Sequence, residues 1–264
     1  MGMQPGDSNK NRTTDERTMD VFSELDKRPD YPVTAIRQRV ALISTPRCGS
    51  TMFCDILRNT GMVGHAEEWL NMRTLGAYSK YMGGDKINLG QYLDFILRKT
   101  TSSNGIFAIN FHVSQHIDMM KNNFDIFKLG FDKIYYLYRK EKIDQAYSLA
   151  KAYLTDQWTT DTVGTREAPA QISRDRVIHS LLHIAQSEEY YSNNIKPVVT
   201  REYCYEDFSA LDTTNAFTEV LDDLGLADIE PTWKTTLKKQ SNHSDRSEVN
   251  DIKNYLFPSF IPSS

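Results

Sequence analysis

Apolar residues in this chain fall into two rhythms. Val40, Ala41, Leu42 and Ile43 form an unbroken run within residues 39–45, the length of a strand covered on both faces. Pro46 to Gly49 then turn the chain, and from Ser50 the spacing becomes helical, with Met52, Phe53, Ile56 and Leu57 ahead of Gly61 as the stop. The same alternation recurs. Residues 105–111 predict a second buried strand and 115–122 a helix, with Gly130 closing the segment that follows. Lys133 to Tyr138 predicts a third strand, rich in β-formers. A helix is expected over 142–158, a loop or lid over 159–172, a long helix over 174–194 and a fourth strand over 197–203. Phe217, Val220, Leu221 and Leu224 mark a helix closed by Gly225, and residues from Pro231 onward read as mostly irregular and polar. Between the first two strands, Tyr92, Leu93, Ile96 and Leu97 mark a helix at 89–98, while 72–81 is ambiguous. Strands alternating with helices predict an α/β fold, a parallel sheet covered by helices.

Residues 1–20 read as a flexible polar tail, with 21–25 a short helix, and 21–264 as one domain. At 264 residues the chain is long enough to bury its own core. Lys plus Arg is 31 against 35 Asp plus Glu, a formal net charge of -4, so bulk attraction to nucleic acid is not expected. Cys48, Cys54 and Cys204 make neither a disulfide framework nor a CxxC pair. No apolar run has transmembrane length and the N-terminus lacks a secretory core, so a cytoplasmic protein is expected.

The chemistry concentrates after the first strand. Thr45-Pro46-Arg47-Cys48-Gly49-Ser50-Thr51 lies between a buried strand and a helix. Backbone N–H groups at a helix start have no intrahelical partner, and the helix dipole favours an anion there. Gly49 permits close approach, Ser50 and Thr51 add hydroxyls and Arg47 adds a fixed charge. The loop suits a phosphate or sulfate. It is not a Walker A loop, whose lysine is missing, and GxGxxG is absent too.

STPRCGSTMFCDILRNTGMVGHAEEWL (44–70), LYRKEKIDQAYSLAKAYLTDQW (137–158) and YEDF (205–208) together resemble segments of the Stf0-type sulfotransferases, over about residues 39–250. The resemblance implies a P-loop-kinase-like α/β fold and 3'-phosphoadenosine 5'-phosphosulfate (PAPS) as sulfuryl donor, without a metal. It implies that Pro46, Arg47, Cys48, Gly49, Ser50 and Thr51 hold the 5'-phosphosulfate, Cys48 as a bystander where representatives have Ser. Arg47 would neutralise charge on the transferring group, and Arg139 and Ser148 would hold the 3'-phosphate. Glu68 matches the family's proposed catalytic base, whereas Glu67 stands where a representative has Gln. The ordinary alternative for this pair is a solvated acidic loop. Trp69 is read either as lining an acceptor pocket or as core.

Asn110 occupies a position where the family often carries Lys, and His112 lies two residues on, on the same strand face. His112 is either a polar substitute near the donor or a hydrogen-bonded core histidine. His179 and His183 share an i, i+4 spacing without a completing ligand, and no metal site is expected. Lys238, Lys239 and Arg246 form a basic stretch, read either as a nucleotide cover or as a solvated charge run. The acceptor class implied is a carbohydrate or glycolipid hydroxyl, its choice carried by loops around 72–86 and 159–172, and a homodimer is one option for assembly. The rival readings are a magnesium-dependent nucleotide kinase and a non-catalytic nucleotide-binding module.

Overall fold

A computed structural model describes residues 14–159, 164–167, 169, 171–209, 215–228 and 243–257. Their contacts divide the chain into two compact units. The larger is built from Asp15–Lys140 and Ser187–Thr236, and the smaller is centred on Glu141–Gln186 with the C-terminal segment.

The larger unit holds a four-stranded sheet in the order β2-β1-β3-β4. The strands are β1 (Gln38–Ser44), β2 (Ile106–His112), β3 (Lys133–Tyr138) and β4 (Arg201–Cys204), and every neighbouring pair is parallel. The expected α/β class and parallel sheet are borne out. β1 and β3 match the apolar runs almost residue for residue. β4 is shorter than expected, because Lys196–Val198 form a 3-10 turn. Pro197 has no N–H to give a ladder, and pairing with β3 starts only at Arg201, opposite Tyr135.

Alternating residues of the strands face two apolar layers. Ala41, Ile43, Phe107, Ile109, Phe111 and Tyr136 pack with Phe22, Trp69, Tyr78 and Tyr92. These come from or near α1 (Thr14–Asp26), α3 (Met72–Tyr81) and α4 (Leu89–Thr100). α1 begins ahead of the expected Val21, so residues 14–20, expected to belong to a flexible tail, are helical, and residues 1–13 lie outside the described residues. The ambiguous 72–81 is a helix, with Asn71 as N-cap accepting from Arg73 N at 2.9 Å. The choice of acceptor was expected to lie partly in a loop there.

On the opposite face Val40, Leu42, Ala108, Tyr135 and Leu137 pack with Phe53, Ile56 and Leu57 of α2 (Ser50–Asn59), Phe208 of α8 (Tyr205–Phe208) and Phe217 of α9 (Asn215–Asp223). The Phe53 ring lies 5.0 Å from Phe208 and 4.6 Å from Phe217. α5 (Val113–Lys121) follows β2 directly.

The smaller unit packs Ile143, Ala146, Leu149 and Ala150 of α6 (Lys142–Thr155) with Val177 and Ile184 of α7 (Arg174–Tyr190) and with Val249 and Ile252 of α10 (His243–Leu256). α10 falls where irregular chain was expected. Its buried stripe is only Val249 and Ile252 among charged neighbours, too sparse to register as periodic. It is tied by polar contacts: Tyr147 Oη lies 3.2 Å from Asp245 and 3.1 Å from Glu248, and Lys151 Nζ donates to Asp245 at 2.8 Å. α6 stops at Thr155, short of the expected Trp158, because Asp156 turns left-handed at φ 57°. The π-helical turn Tyr191–Ile195 continues α7. Lys238 and Lys239 lie outside the described residues. Among the described residues no helix is long and apolar enough to cross a membrane.

Candidate active site

The sheet order locates the site. β1 leads the chain toward β2 on one side, and β3 leads it toward β4 on the other. The crevice at the C-terminal ends of β1 and β3 is therefore the switch point where parallel sheets receive ligands. Two arginines stand there, Arg47 just after β1 and Arg139 just after β3.

The loop after β1 is tightly built. Arg47 and Gly49 both have left-handed backbones, φ 65° and 84°. For Arg47 this is an uncommon, strained conformation. Gly49 is the N-cap of α2, offers no side-chain cap, and no acidic residue follows in the first turn. The helix start thus keeps its anion-attracting character. A Cβ on Gly49 would lie 2.5 Å from Cδ2 of Tyr205 and 3.3 Å from Phe208, so the packing of α8 against the loop requires glycine. Cys48 is fully buried in the apolar layer that contains α2. Pro46 and Ser50 are buried and Thr51 is exposed.

Tyr205 links the two arginines. Its ring packs against Gly49 and lies under the Arg139 guanidinium, 4.8 Å from centroid to Cζ. Arg139 Nε is 3.7 Å from Glu206 Oε1. Burial, followed by repulsion from Arg139, lowers the pKa of Arg47, while Glu68 opposes the shift. The two guanidiniums thus act on one another at the C-terminal edge of the sheet, with Glu68 and Glu206 beside them.

Glu68 sits where three elements converge. Its Oε2 accepts from Gln115 Nε2 at 2.8 Å and Asn71 Nδ2 at 3.2 Å, and Oε1 lies 3.2 Å from His112 Nε2. Asn71 and His112 are the N-caps of α3 and α5, so the carboxylate faces two helix starts. Burial pushes its pKa up. The His112 charge and the hydrogen bonds from His112, Asn71 and Gln115 outweigh that and bring it down to about 2.

Glu67 points elsewhere. Its Oε1 accepts from Arg58 Nη1 at 2.9 Å and lies 3.5 Å from His65, in a cluster where Arg58 also pairs with Asp55. The adjacent glutamates are therefore in different environments, and Glu68 is the one beside the crevice. Trp69 is 2% exposed, its Nε1 donates to His65 O, and its ring packs on Phe22, so core packing replaces the acceptor-wall reading. Asn110 is buried with Oδ1 lacking a hydrogen-bond partner, and its N–H donates to Glu67 O at 3.1 Å. His112, which sequence reasoning left undecided, touches both Ser44 and Glu68. Ser148 lies on α6 in the smaller unit, partly buried. Among the described residues no group of three ligating side chains gathers around a metal position. A shallow depression lined by Lys196, Thr200, Arg201 and Glu219 lies at the other end of the sheet, by the start of β4.

The depressed pKa of Glu68 has a stability consequence. A carboxyl held below its unfolded value stabilises the fold above that value and loses the contribution as pH falls through the folded one. The window runs from 4.5 down to about 2. With 28% of the side chain exposed, the contribution is at most about 3 kcal/mol. Thermal melts should show wild type losing stability more steeply than Glu68→Gln as pH drops from about 5 to about 3. Parallel curves would contradict the assigned environment.

Fold and site together are a parallel α/β sheet with two arginines just beyond the C-terminal ends of its central strands. The family model for Stf0 sulphotransferase matches residues 40–254, and the chain belongs to that family. It is a PAPS-dependent sulfotransferase. No curated protein matches the chain.

Proposed function

We propose that this enzyme transfers the sulfuryl group of PAPS to a hydroxyl of a carbohydrate or glycolipid, with Glu68 as proton acceptor. The observation that carries the reading is the placement of Glu68 within reach of the Arg47 charge, in a cluster separate from Glu67. Arg47, the α2 start and Ser50 would hold the phosphosulfate, with Thr51 at the rim. PAPS supplies a sulfur whose bond to the 5'-phosphate breaks, the electron pair leaving with the phosphate, as the acceptor oxygen bonds to sulfur. Arg47 neutralises the charge that builds on those oxygens. Glu68 takes the hydroxyl proton. A carboxylate this acidic accepts it late, once the new bond to sulfur has made the acceptor oxygen acidic. Arg139 is assigned to the 3'-phosphate, bidentate and charge-assisted, with Ser148 added on the family resemblance alone.

Calorimetry with 3',5'-adenosine bisphosphate, AMP and ATP, with and without magnesium, tests the donor site. The bisphosphate should bind best without magnesium. Arg139→Ala should lose about 10- to 100-fold of the preference over AMP, the worth of one charged hydrogen-bonded contact. A preference for ATP with magnesium would point to phosphoryl transfer instead. Undiminished discrimination in Arg139→Ala would remove the 3'-phosphate assignment.

A further inference from the structure

His112 belongs to none of the donor-binding segments, yet both of its ring nitrogens are engaged in the site. Nδ1 lies 2.9 Å from Ser44 Oγ and Nε2 lies 3.2 Å from Glu68 Oε1. Ser44 and His112 are direct partners in the register of β1 and β2, so the first contact is built into the sheet. Ser44 is also the last residue of β1, immediately before the anion loop. His112 closes β2 and caps α5, and its N–H donates to Gln115 Oε1 at 3.0 Å. Gln115 passes the constraint on, donating to Glu68 Oε2 at 2.8 Å. One strand–helix junction thus grips both carboxylate oxygens. The imidazole is 12% exposed, so its orientation is fixed by packing as well as by hydrogen bonds.

The geometry points to His112 as the positioning residue of the base: it fixes the plane of the Glu68 carboxylate through Nε2, and its own protonation state sets how readily that carboxylate takes a proton. This rests on the reading of Glu68 as proton acceptor. When His112 is neutral, Nε2–H donates to Oε1 and Nδ1 accepts from the Ser44 hydroxyl. The carboxylate is then oriented without facing a full positive charge. When His112 is protonated, both nitrogens donate and Glu68 is one half of an ion pair. Accepting a proton then breaks that pair in a partly dry site, where Coulomb attraction is stronger than in water. Glu68 is the weaker base beside a charged imidazole and the stronger base beside a neutral one. The groups facing the imidazole are Ser44 from β1 and Glu68 from the preceding loop, with Gln115 on its own helix. Arg47 acts on Glu68 in the same sense as a charged imidazole, and does so at every working pH.

The test needs no acceptor. Wild type and His112→Gln are labelled with 13C at the glutamate side-chain carboxyl. The Glu68 signal is identified by its loss in Glu68→Gln and followed from about pH 7 to about pH 3.5. Gln keeps a donor for the carboxylate and removes the charge. In wild type the Glu68 signal should stay that of a carboxylate at about pH 4, and in His112→Gln its midpoint should rise by about one pH unit or more. Equal midpoints in the two proteins overturn the inference. A half-protonated Glu68 at about pH 4 in wild type also overturns it, and that measurement stands if the variant does not fold. A merely structural histidine would not move the midpoint. Binding of 3',5'-adenosine bisphosphate is measured on the same samples. Retained binding with an unmoved midpoint removes the role of His112 and leaves the donor site. Absent binding in wild type with a moved midpoint removes the donor reading and leaves the His112–Glu68 coupling.

Discussion

Glu68→Gln is expected to lower sulfuryl transfer by about 10²- to 10⁴-fold, the usual worth of a positioned proton acceptor, while 3',5'-adenosine bisphosphate still binds. The substitution preserves shape, and its hydrogen bonds can be re-made. The new amide oxygen accepts from Asn71 and Gln115, the groups that now serve Oε2. The new amide nitrogen faces His112, whose Nε2 becomes an acceptor while Nδ1–H donates to Ser44 Oγ, the same 2.9 Å contact with the proton reversed. What is lost is the ability to take the acceptor proton. Turnover is read as release of 3',5'-adenosine bisphosphate from PAPS with a polyol or sugar that wild type uses. Glu67→Gln is the matched control, because Glu67 is engaged by Arg58 and His65. Wild-type turnover in Glu68→Gln, or an equal fall in Glu67→Gln, would overturn the assignment.

The sheet was legible in the sequence because buried parallel strands are continuous apolar runs. Val40 to Ile43 and Ile134 to Leu137 are fully covered and carry no polar interruption. The anion loop was legible because a strand–glycine–helix transition exposes backbone N–H groups whatever the tertiary context. Less was readable where two faces had to be combined. Nothing in the spacing placed Ser44 opposite His112, since that depends on the register of strands separated by more than 60 residues. Nor did the spacing show that Glu68 would meet that histidine. The resemblance selected Glu68 over Glu67. The physical difference between them, one turned to the His112 junction and one to Arg58, emerged only with the fold. Pro197 misled in the opposite direction, its β-forming neighbours suggesting a strand that proline's missing N–H delays to Arg201. The alternation of strands and helices was read as one domain and carried no sign of two compact units, because α6, α7 and α10 gather on contacts between distant segments.

Gly49→Ala is the second large effect expected, and it acts on binding through structure. Two costs coincide at this position. The backbone sits at φ 84°, which an L side chain rarely adopts, and the added methyl would lie 2.5 Å from a Tyr205 ring carbon. Positive φ alone costs on the order of 1 kcal/mol, and the overlap adds to it unless α8 shifts. A shift has its own consequence, because Tyr205 is the ring against which Arg139 rests. Moving it displaces the arginine assigned to the 3'-phosphate. Gly49→Ala should therefore lose about 2–4 kcal/mol in urea unfolding and weaken 3',5'-adenosine bisphosphate by about tenfold or more. Gly61→Ala separates the two costs. Gly61 has φ 68° but no atom within 4 Å of the added position, so it carries strain without overlap and should lose only about 1 kcal/mol with binding intact. Combining Gly49→Ala with Tyr205→Ala should recover part of the stability, since the two closest overlaps are gone and only the 3.3 Å approach to Phe208 remains, and none of the binding, since Arg139 has lost its platform. Full recovery of binding in the double variant would show that Tyr205 only fills space. Equal losses in Gly49→Ala and Gly61→Ala would show that backbone strain, and not the packing of α8 on the loop, is what glycine is needed for at this turn.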